Sequence, residues 1–147
     1  GPDPEILCNR GANGIDGTVA TALGVAKDGR RTALLCGDLA FLHDGNALLL
    51  AAGFRGRLTV VVVNNAGGGI FNHLPVADSP HFERLWGTEQ RADIGKLCSA
   101  FAVPHVAIRD WSHLRRELTL DRPGVRVLEV RTDRAKDSAH RRKAFRA

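Results

Sequence analysis

The sequence predicts an α/β fold: a doubly wound parallel sheet in three layers, with helices on both faces. Two observations carry this. Short apolar runs alternate with segments of helical periodicity along the 147 residues, the pattern of repeated strand–helix units. The central runs are continuously apolar rather than alternating, which marks strands buried on both faces. Apolar residues make up 44% of the chain, an ordinary value for one domain with its own core.

Taken in order, the first strand is expected at Ile6 to Cys8. A helix follows from Ile15 to Lys27, with Val19, Leu23 and Ala26 on one face and Asp28-Gly29 as its stop. The second strand is Thr32 to Cys36. A second helix, His43 to Ala52, is rich in Ala and Leu and ends at Gly53, with Asp44 and Asn46 as its caps. Leu58 to Asn64 is the third strand. The segment from Phe71 to Arg91, broken by Pro75 and Pro80, reads as a long functional loop. Helical spacing returns at Ala92 to Phe101, before Pro104. A weaker strand spans His105 to Ile108, and a helix capped by Asp110 spans Trp111 to Leu118. Val125 to Val130 is the last strand. No internal repeat or low-complexity segment interrupts this order.

The net charge is +5. The residues from Arg131 onward hold seven Lys/Arg and two Asp, so the basic excess belongs to the tail alone. That distribution describes a solvated C-terminal helix and argues against a nucleic-acid groove. No apolar run approaches the roughly 18 residues of a membrane span, and no signal peptide is expected. Three cysteines, Cys8, Cys36 and Cys98, form no CxxC pair. They speak against a disulfide framework or a zinc site and for a reducing, cytoplasmic setting. Gly1-Pro2 opens almost directly onto an apolar segment, so the chain is expected to be a piece of something longer.

Two strand ends carry polar groups: "LLCGD" (Leu34 to Asp38) and "VVNNAG" (Val62 to Gly67). One crossover separates them. A strand–helix–strand unit sets its two strands parallel with their carboxyl ends at one edge, where ligands of such sheets sit. Asp38 and Asn65 therefore converge. A carboxylate and an amide oxygen are hard donors, suited to Mg²⁺ rather than zinc, and Mg²⁺ commonly shares its shell with phosphate oxygens. Gly37, Gly67, Gly68 and Gly69 let the backbone approach a ligand closely. The N–H groups of Leu39 and Ala40 could meet a phosphate. Together these features imply a diphosphate clamped by a divalent ion. A simple turn at the Asn-Asn-Gly and an N-cap at Asp38 remain the alternatives.

The blocks "NRGANGIDG" (Asn9 to Gly17), "GDLAFLHDGNAL" (Gly37 to Leu48) and "VVVNNAGGGIFNHLP" (Val61 to Pro75) together resemble one family of thiamine diphosphate enzymes. It is the 2-succinyl-5-enolpyruvyl-6-hydroxy-3-cyclohexene-1-carboxylate synthases of menaquinone biosynthesis. The common thiamine diphosphate signature has glycine where Leu39 stands, and this family tolerates leucine there. The resemblance runs from about Leu7 toward the C-terminal region and weakens beyond Arg131. It implies that residues 1–147 are the diphosphate-binding C-terminal domain, with pyrimidine-binding and middle domains lying outside this chain.

The resemblance further implies thiamine diphosphate as cofactor, held by Mg²⁺ (or Mn²⁺) on Asp38, Asn65 and the Gly67 carbonyl. Ile15 would support the bent cofactor. Gly37, Leu39, Ala40 and Ile70 would line its site. Arg10 and Phe71 would bind substrate. The implied reaction decarboxylates 2-oxoglutarate and adds the product to isochorismate. No residue of this chain is assigned as a catalytic base, because the activating glutamate belongs to the pyrimidine-binding domain of a partner subunit. A homo-oligomer, dimer or tetramer, follows, and the chain alone is expected to lack turnover. Asn13 and Asp16 fall in the cofactor loop and serve equally as turn residues. His105 and His113 are expected to be structural. Two other thiamine diphosphate readings, a different decarboxylase or an acetolactate-type synthase, fit the Asn9 to Gly17 block and Leu39 less well. A non-catalytic assembly module is the third alternative. A dinucleotide-binding oxidoreductase would need a GxGxxG, which Gly11 and Gly14 only partly supply.

Overall fold

The computed structural model describes residues 4–9 and 14–145. Four parallel strands form one sheet: β1 (Arg31–Gly37), β2 (Arg57–Asn64), β3 (His105–Ala107) and β4 (Gly124–Arg131), in the order β1-β2-β4-β3. The helices are α1 (Thr18–Ala26), α2 (Asp38–His43), α3 (Ile94–Ala100), α4 (Trp111–Thr119) and α5 (Arg134–Ala144). The α/β class and the parallel sheet agree with the sequence reading.

One face of the sheet carries the main core. Val60, Val62 and Val127 are fully buried there, against Val19, Leu23 and Ala26 of α1, Phe41 of α2, and Ile94 and Cys98 of α3. Each of the Val, Leu, Ile and Phe side chains among them contributes about 1.5–3 kcal/mol through removal from water. The opposite face holds a smaller cluster, in which Leu128 and Val61 pack against Leu114 of α4. β2 and β4 lie in the middle of the sheet and are buried on both faces, hence the unbroken valine run Val60–Val63 of β2; β4 buries Arg126 and Glu129 among its apolar residues.

Several expectations are corrected. Ile6 to Cys8 forms no strand; Ile6 and Leu7 are exposed and β1 keeps an open edge. β1 alternates exposed and half-buried residues, and Leu35 is 72% exposed. Helix α1 starts at Thr18, after Gly17 adopts φ +67, so Ile15 precedes the helix. The expected His43–Ala52 helix is two pieces: α2, which begins at Asp38, and a 3₁₀ segment over Gly45–Ala51. Asp44 does not cap its own helix. Its Oδ2 accepts from the backbone N–H groups of Val19 (2.7 Å) and Ala20 (2.8 Å), which satisfies donors at the start of α1. Asn46 is exposed and caps nothing. The long loop holds short helical turns at Gly69–His73, Pro75–Asp78 and Glu83–Gly87. Asp110 does cap α4, accepting from His113 N–H at 2.7 Å.

The basic tail is only partly solvated. Arg134 of α5 donates to the Gly87 carbonyl at 3.0 Å, pairs with Glu83 and lies over the Phe82 ring. Arg142 donates to the Asn72 carbonyl at 3.3 Å. The helix therefore braces the loop that follows β2. Among the described residues, no helix is long and apolar enough to cross a membrane.

Candidate functional site

β1 and β2 are neighbours, and Gly37 pairs with Val63. Asp38 and Asn64 therefore leave the sheet side by side at its carboxyl edge. Asp38 is 2% exposed although it begins a helix. A buried carboxylate requires donors or a cation, and its Oδ2 accepts from Gln90 Nε2 at 2.7 Å. The same nitrogen lies 3.2 Å from Asn64 Oδ1, so one amide ties both strand tips together.

The two asparagines divide their roles: Asn64 is the last residue of β2 and Asn65 the first residue beyond it. Asn64 points toward the main core face and is fully engaged: its Nδ2 donates to Glu129 Oε1 at 2.7 Å and its Oδ1 accepts from Ala66 N–H at 3.1 Å. Asn65 has a buried side-chain oxygen with no hydrogen-bond partner. Asn72 Oδ1 and Ser138 Oγ share that state among the described residues, but of the three only Asn65 directly follows the end of β2, the strand paired with the one that leads into Asp38. A buried acceptor without a donor costs about 1–3 kcal/mol. A hard cation or a donor on a ligand would satisfy it.

The glycines after Asn65 are required by close packing. Gly67 has φ +149, and a Cβ there would lie 2.4 Å from the Gly87 carbonyl oxygen. At Gly68 it would lie 2.3 Å from the Trp86 oxygen, and at Gly69 2.4 Å from Asn65 Nδ2. The Gly68 N–H donates to Gly87 O at 2.7 Å, and Gly67 O accepts from Gly69 N–H at 2.9 Å. The glycine turn is thus pressed against residues 86–88. Gly37 differs: among the described residues a Cβ there would meet nothing within 4 Å, so open space among them faces the β1 tip.

Leu39 and Ala40 are half-buried in the first turn of α2, beside Asp38. Phe71 is half-buried and Ile70 is 71% exposed, both in the turn after the glycines. Ile15 is 39% exposed, before α1. Arg10 and Asn13 lie outside the described residues. Asp16 is exposed and sits 3.6 Å from His43 Nδ1. Cys36, one turn of chain before Asp38, has its thiol pushed up to about 12 by burial and by the Asp38 carboxylate; it stays protonated. Among the described residues no three His, Cys, Asp or Glu side chains gather around one point, so any ion at these tips would use the single carboxylate with amide and carbonyl oxygens. That donor set fits a hard, oxygen-preferring cation.

Sequence reading missed Gln90, Glu129 and Arg134. Glu129 left one trace, a lone acid between Leu128 and Val130 in a strand otherwise buried. Gln90 left none, because it acts across 52 positions of chain.

Residues 4–130 match the family described as "Thiamine pyrophosphate enzyme, C-terminal TPP binding domain". Similar relatives are 2-succinyl-5-enolpyruvyl-6-hydroxy-3-cyclohexene-1-carboxylate synthases. That of Rippkaea orientalis is 49% identical over 133 residues, covering 89% of this chain and 22% of the relative. That of Gloeothece citriformis is 50% identical over 132 residues, 88% of this chain and 23% of the relative. That of Synechococcus sp. JA-3-3Ab is 50% identical over 140 residues, 94% and 24% respectively. The chain thus spans less than a quarter of the length of these relatives. Among solved structures, the thiamine diphosphate-dependent 4-hydroxybenzoylformate decarboxylase of Rhodococcus jostii RHA1 superposes with a TM-score of 0.62 over 79% of this chain and 23% of that one. Its 21% identity makes that a likeness of fold. With the paired strand tips, the glycine turn and the family match over residues 4–130, the chain belongs to the C-terminal TPP-binding domain family of the thiamine pyrophosphate enzymes, as carried by the 2-succinyl-5-enolpyruvyl-6-hydroxy-3-cyclohexene-1-carboxylate synthases.

Proposed function

We propose that this chain is the diphosphate-binding half of the active site of a synthase that decarboxylates 2-oxoglutarate and adds the product to isochorismate. The observation that supports this most is the unpartnered, buried Asn65 Oδ1, one residue past the end of β2, with the buried Asp38 one residue past the end of the paired strand β1. In this reading Asp38, Asn65 and the Gly67 carbonyl hold Mg²⁺ or Mn²⁺. Thiamine diphosphate, when bound, supplies the electron sink for decarboxylation. The chain's own residues anchor and orient it. Asp38 and Asn65 fix the ion that neutralises the diphosphate. The open space at Gly37 admits the phosphates toward the N–H groups of Leu39 and Ala40. Ile15 and Ile70, both exposed, would support the cofactor and line its site, while Arg10 and Phe71 would bind the anionic substrates.

The aminopyrimidine-activating glutamate comes from a pyrimidine-binding domain outside these residues, on a partner subunit of a homo-oligomer. These 147 residues alone turn over nothing and bind the cofactor weakly. The test is calorimetry of Mg²⁺-dependent thiamine diphosphate binding to the full-length protein. Asp38→Ala is expected to lower affinity by a hundredfold or more, and retained affinity would refute the ligand assignment. Product formation from 2-oxoglutarate plus isochorismate, compared with pyruvate, tests the substrates. Preference for pyruvate would move the chain to another decarboxylase or an acetolactate-type synthase.

A further inference from the structure

We propose that Glu129 is a positioning residue for the strand tip that carries Asn65: it fixes the Asn64 amide, and through it both the Ala66 turn and the Gln90 clamp on Asp38. The inference rests on the reading that Asp38 and Asn65 hold the ion.

Glu129 is 1% exposed on β4, opposite Val62 of β2. A carboxylate only accepts hydrogen bonds. Three donors reach this one: Asn64 Nδ2 at 2.7 Å and Arg131 Nε at 2.9 Å on Oε1, and His105 Nε2 at 3.0 Å from Oε2. With its nitrogen turned to Glu129, Asn64 must turn its oxygen away, toward Ala66 N–H (3.1 Å) and Gln90 Nε2 (3.2 Å). A flipped Asn64 would set oxygen against carboxylate and N–H against N–H. Only one orientation satisfies every group, and the buried acid selects it.

Two consequences follow. Ala66 has φ +61, a left-handed conformation that costs a residue with a Cβ about 1–2 kcal/mol. The Asn64 oxygen holds its N–H in that conformation, and Ala66 lies between Asn65 and Gly67, two of the three proposed ligands. Second, Gln90 is held on four sides. Its Nε2 meets Asn64 Oδ1 and Asp38 Oδ2, its Oε1 accepts from Ala92 N–H at 2.7 Å, and its own N–H donates to Ala66 O at 3.2 Å. The bond to Oδ2 sets the plane of the Asp38 carboxylate. An acid, two amides and a second acid thus form one directed chain from β4 to the tip of β1, and no member turns without breaking its neighbour's bond.

The test compares Glu129→Gln with Glu129→Leu in the full-length protein. Both remove the charge and keep a similar volume. Only Gln retains an acceptor for Asn64, with His105 taking the tautomer that accepts from the new amide. The readout is Mn²⁺ affinity in the presence of thiamine diphosphate, measured by electron paramagnetic resonance, together with Tm. Glu129→Gln is expected within about threefold of wild type. Glu129→Leu is expected to bind Mn²⁺ at least about tenfold more weakly in its folded fraction. Equal affinity in the two variants overturns the inference, because a residue serving stability alone would change only Tm. Gln90→Ala, in the loop and away from the core, keeps the test decisive should Glu129→Leu fail to fold. It is expected to weaken Mn²⁺ by about fivefold, and wild-type affinity would overturn the proposal. Asp38→Ala separates the two readings. If it leaves Mn²⁺ affinity unchanged, the ion assignment itself fails; if it abolishes binding while the Glu129 and Gln90 variants do not weaken it, only the positioning role fails.

Discussion

The inner side of the β2 tip, the strand's own last residue Asn64, and its outer side, Asn65 just beyond the strand, are built from the same residue type one position apart. On the inner side every polar atom is engaged: Asn64 joins Glu129, Ala66 and Gln90, and Glu129 also receives Arg131 and His105. On the outer side the Asn65 oxygen is buried without a partner, and the glycine turn beyond it is pinned to residues 86–88. A saturated network serves rigidity, since each bond removed strands a buried group. On the proposed reading, the unsaturated acceptor of Asn65 is the one that meets the ion. The contrast separates scaffold from binding site more clearly than residue type does.

That contrast can be broken first at the turn. Gly68→Ala places a Cβ 2.3 Å from a backbone oxygen, and overpacking against main chain is expected to cost about 3 kcal/mol in chemical denaturation. Gly37→Ala meets nothing within 4 Å among the described residues, so its stability is expected to stay within about 0.5 kcal/mol while cofactor affinity falls. A destabilised Gly37→Ala would show that the space at β1 is needed by the fold and not by a ligand.

The asparagines sharpen the comparison directly. Asn64→Ala leaves Glu129 without one donor and Gln90 without one acceptor, and is expected to lose about 1–3 kcal/mol. Asn65→Ala removes an acceptor that is already unpaired, so its stability should match or exceed wild type while Mn²⁺ binding drops. Equal losses of stability in the two variants would erase the distinction drawn here.

The pH dependence is smaller. Burial pulls the Glu129 pKa upward, but hydrogen bonds from Arg131, Asn64 and His105 outweigh it and hold the group below its ordinary 4.5. A depressed carboxylate contributes stability that is present above about pH 4.5 and lost as pH falls through the folded value. Asp93, Asp110 and Asp133 are lowered too, Asp93 and Asp133 first by backbone N–H groups and Asp110 first by the Ser112 hydroxyl. Their share has the same sign and persists in Glu129→Gln. The gap in Tm between wild type and Glu129→Gln should therefore narrow as pH drops from about 6 to about 3; a constant gap would mean that Glu129 gains nothing from being ionised.

The fold class was legible because burial on both faces forces continuous apolar runs, as at Val60–Val63. The capping role of Asp110 was legible for a similar reason: it is satisfied within three residues. Ile6 to Cys8 misled because an apolar triplet is equally at home in an extended, unpaired segment. The role of Asp44 was hidden because its partners lie 24 and 25 positions away on α1.

By itself the sequence determined the parallel sheet, the adjacency of the Asp38 and Asn65 strand ends and the glycine turn between Asn65 and the long loop. These follow from local pattern and from the geometry of one crossover. Only the tertiary structure decided that Asn64 faces inward, that Gln90 bridges the tips and that Glu129 orients them. Hydrogen bonds between side chains depend on which strands become neighbours, and β4 reaches β2 only after the chain has passed through β3 and α4.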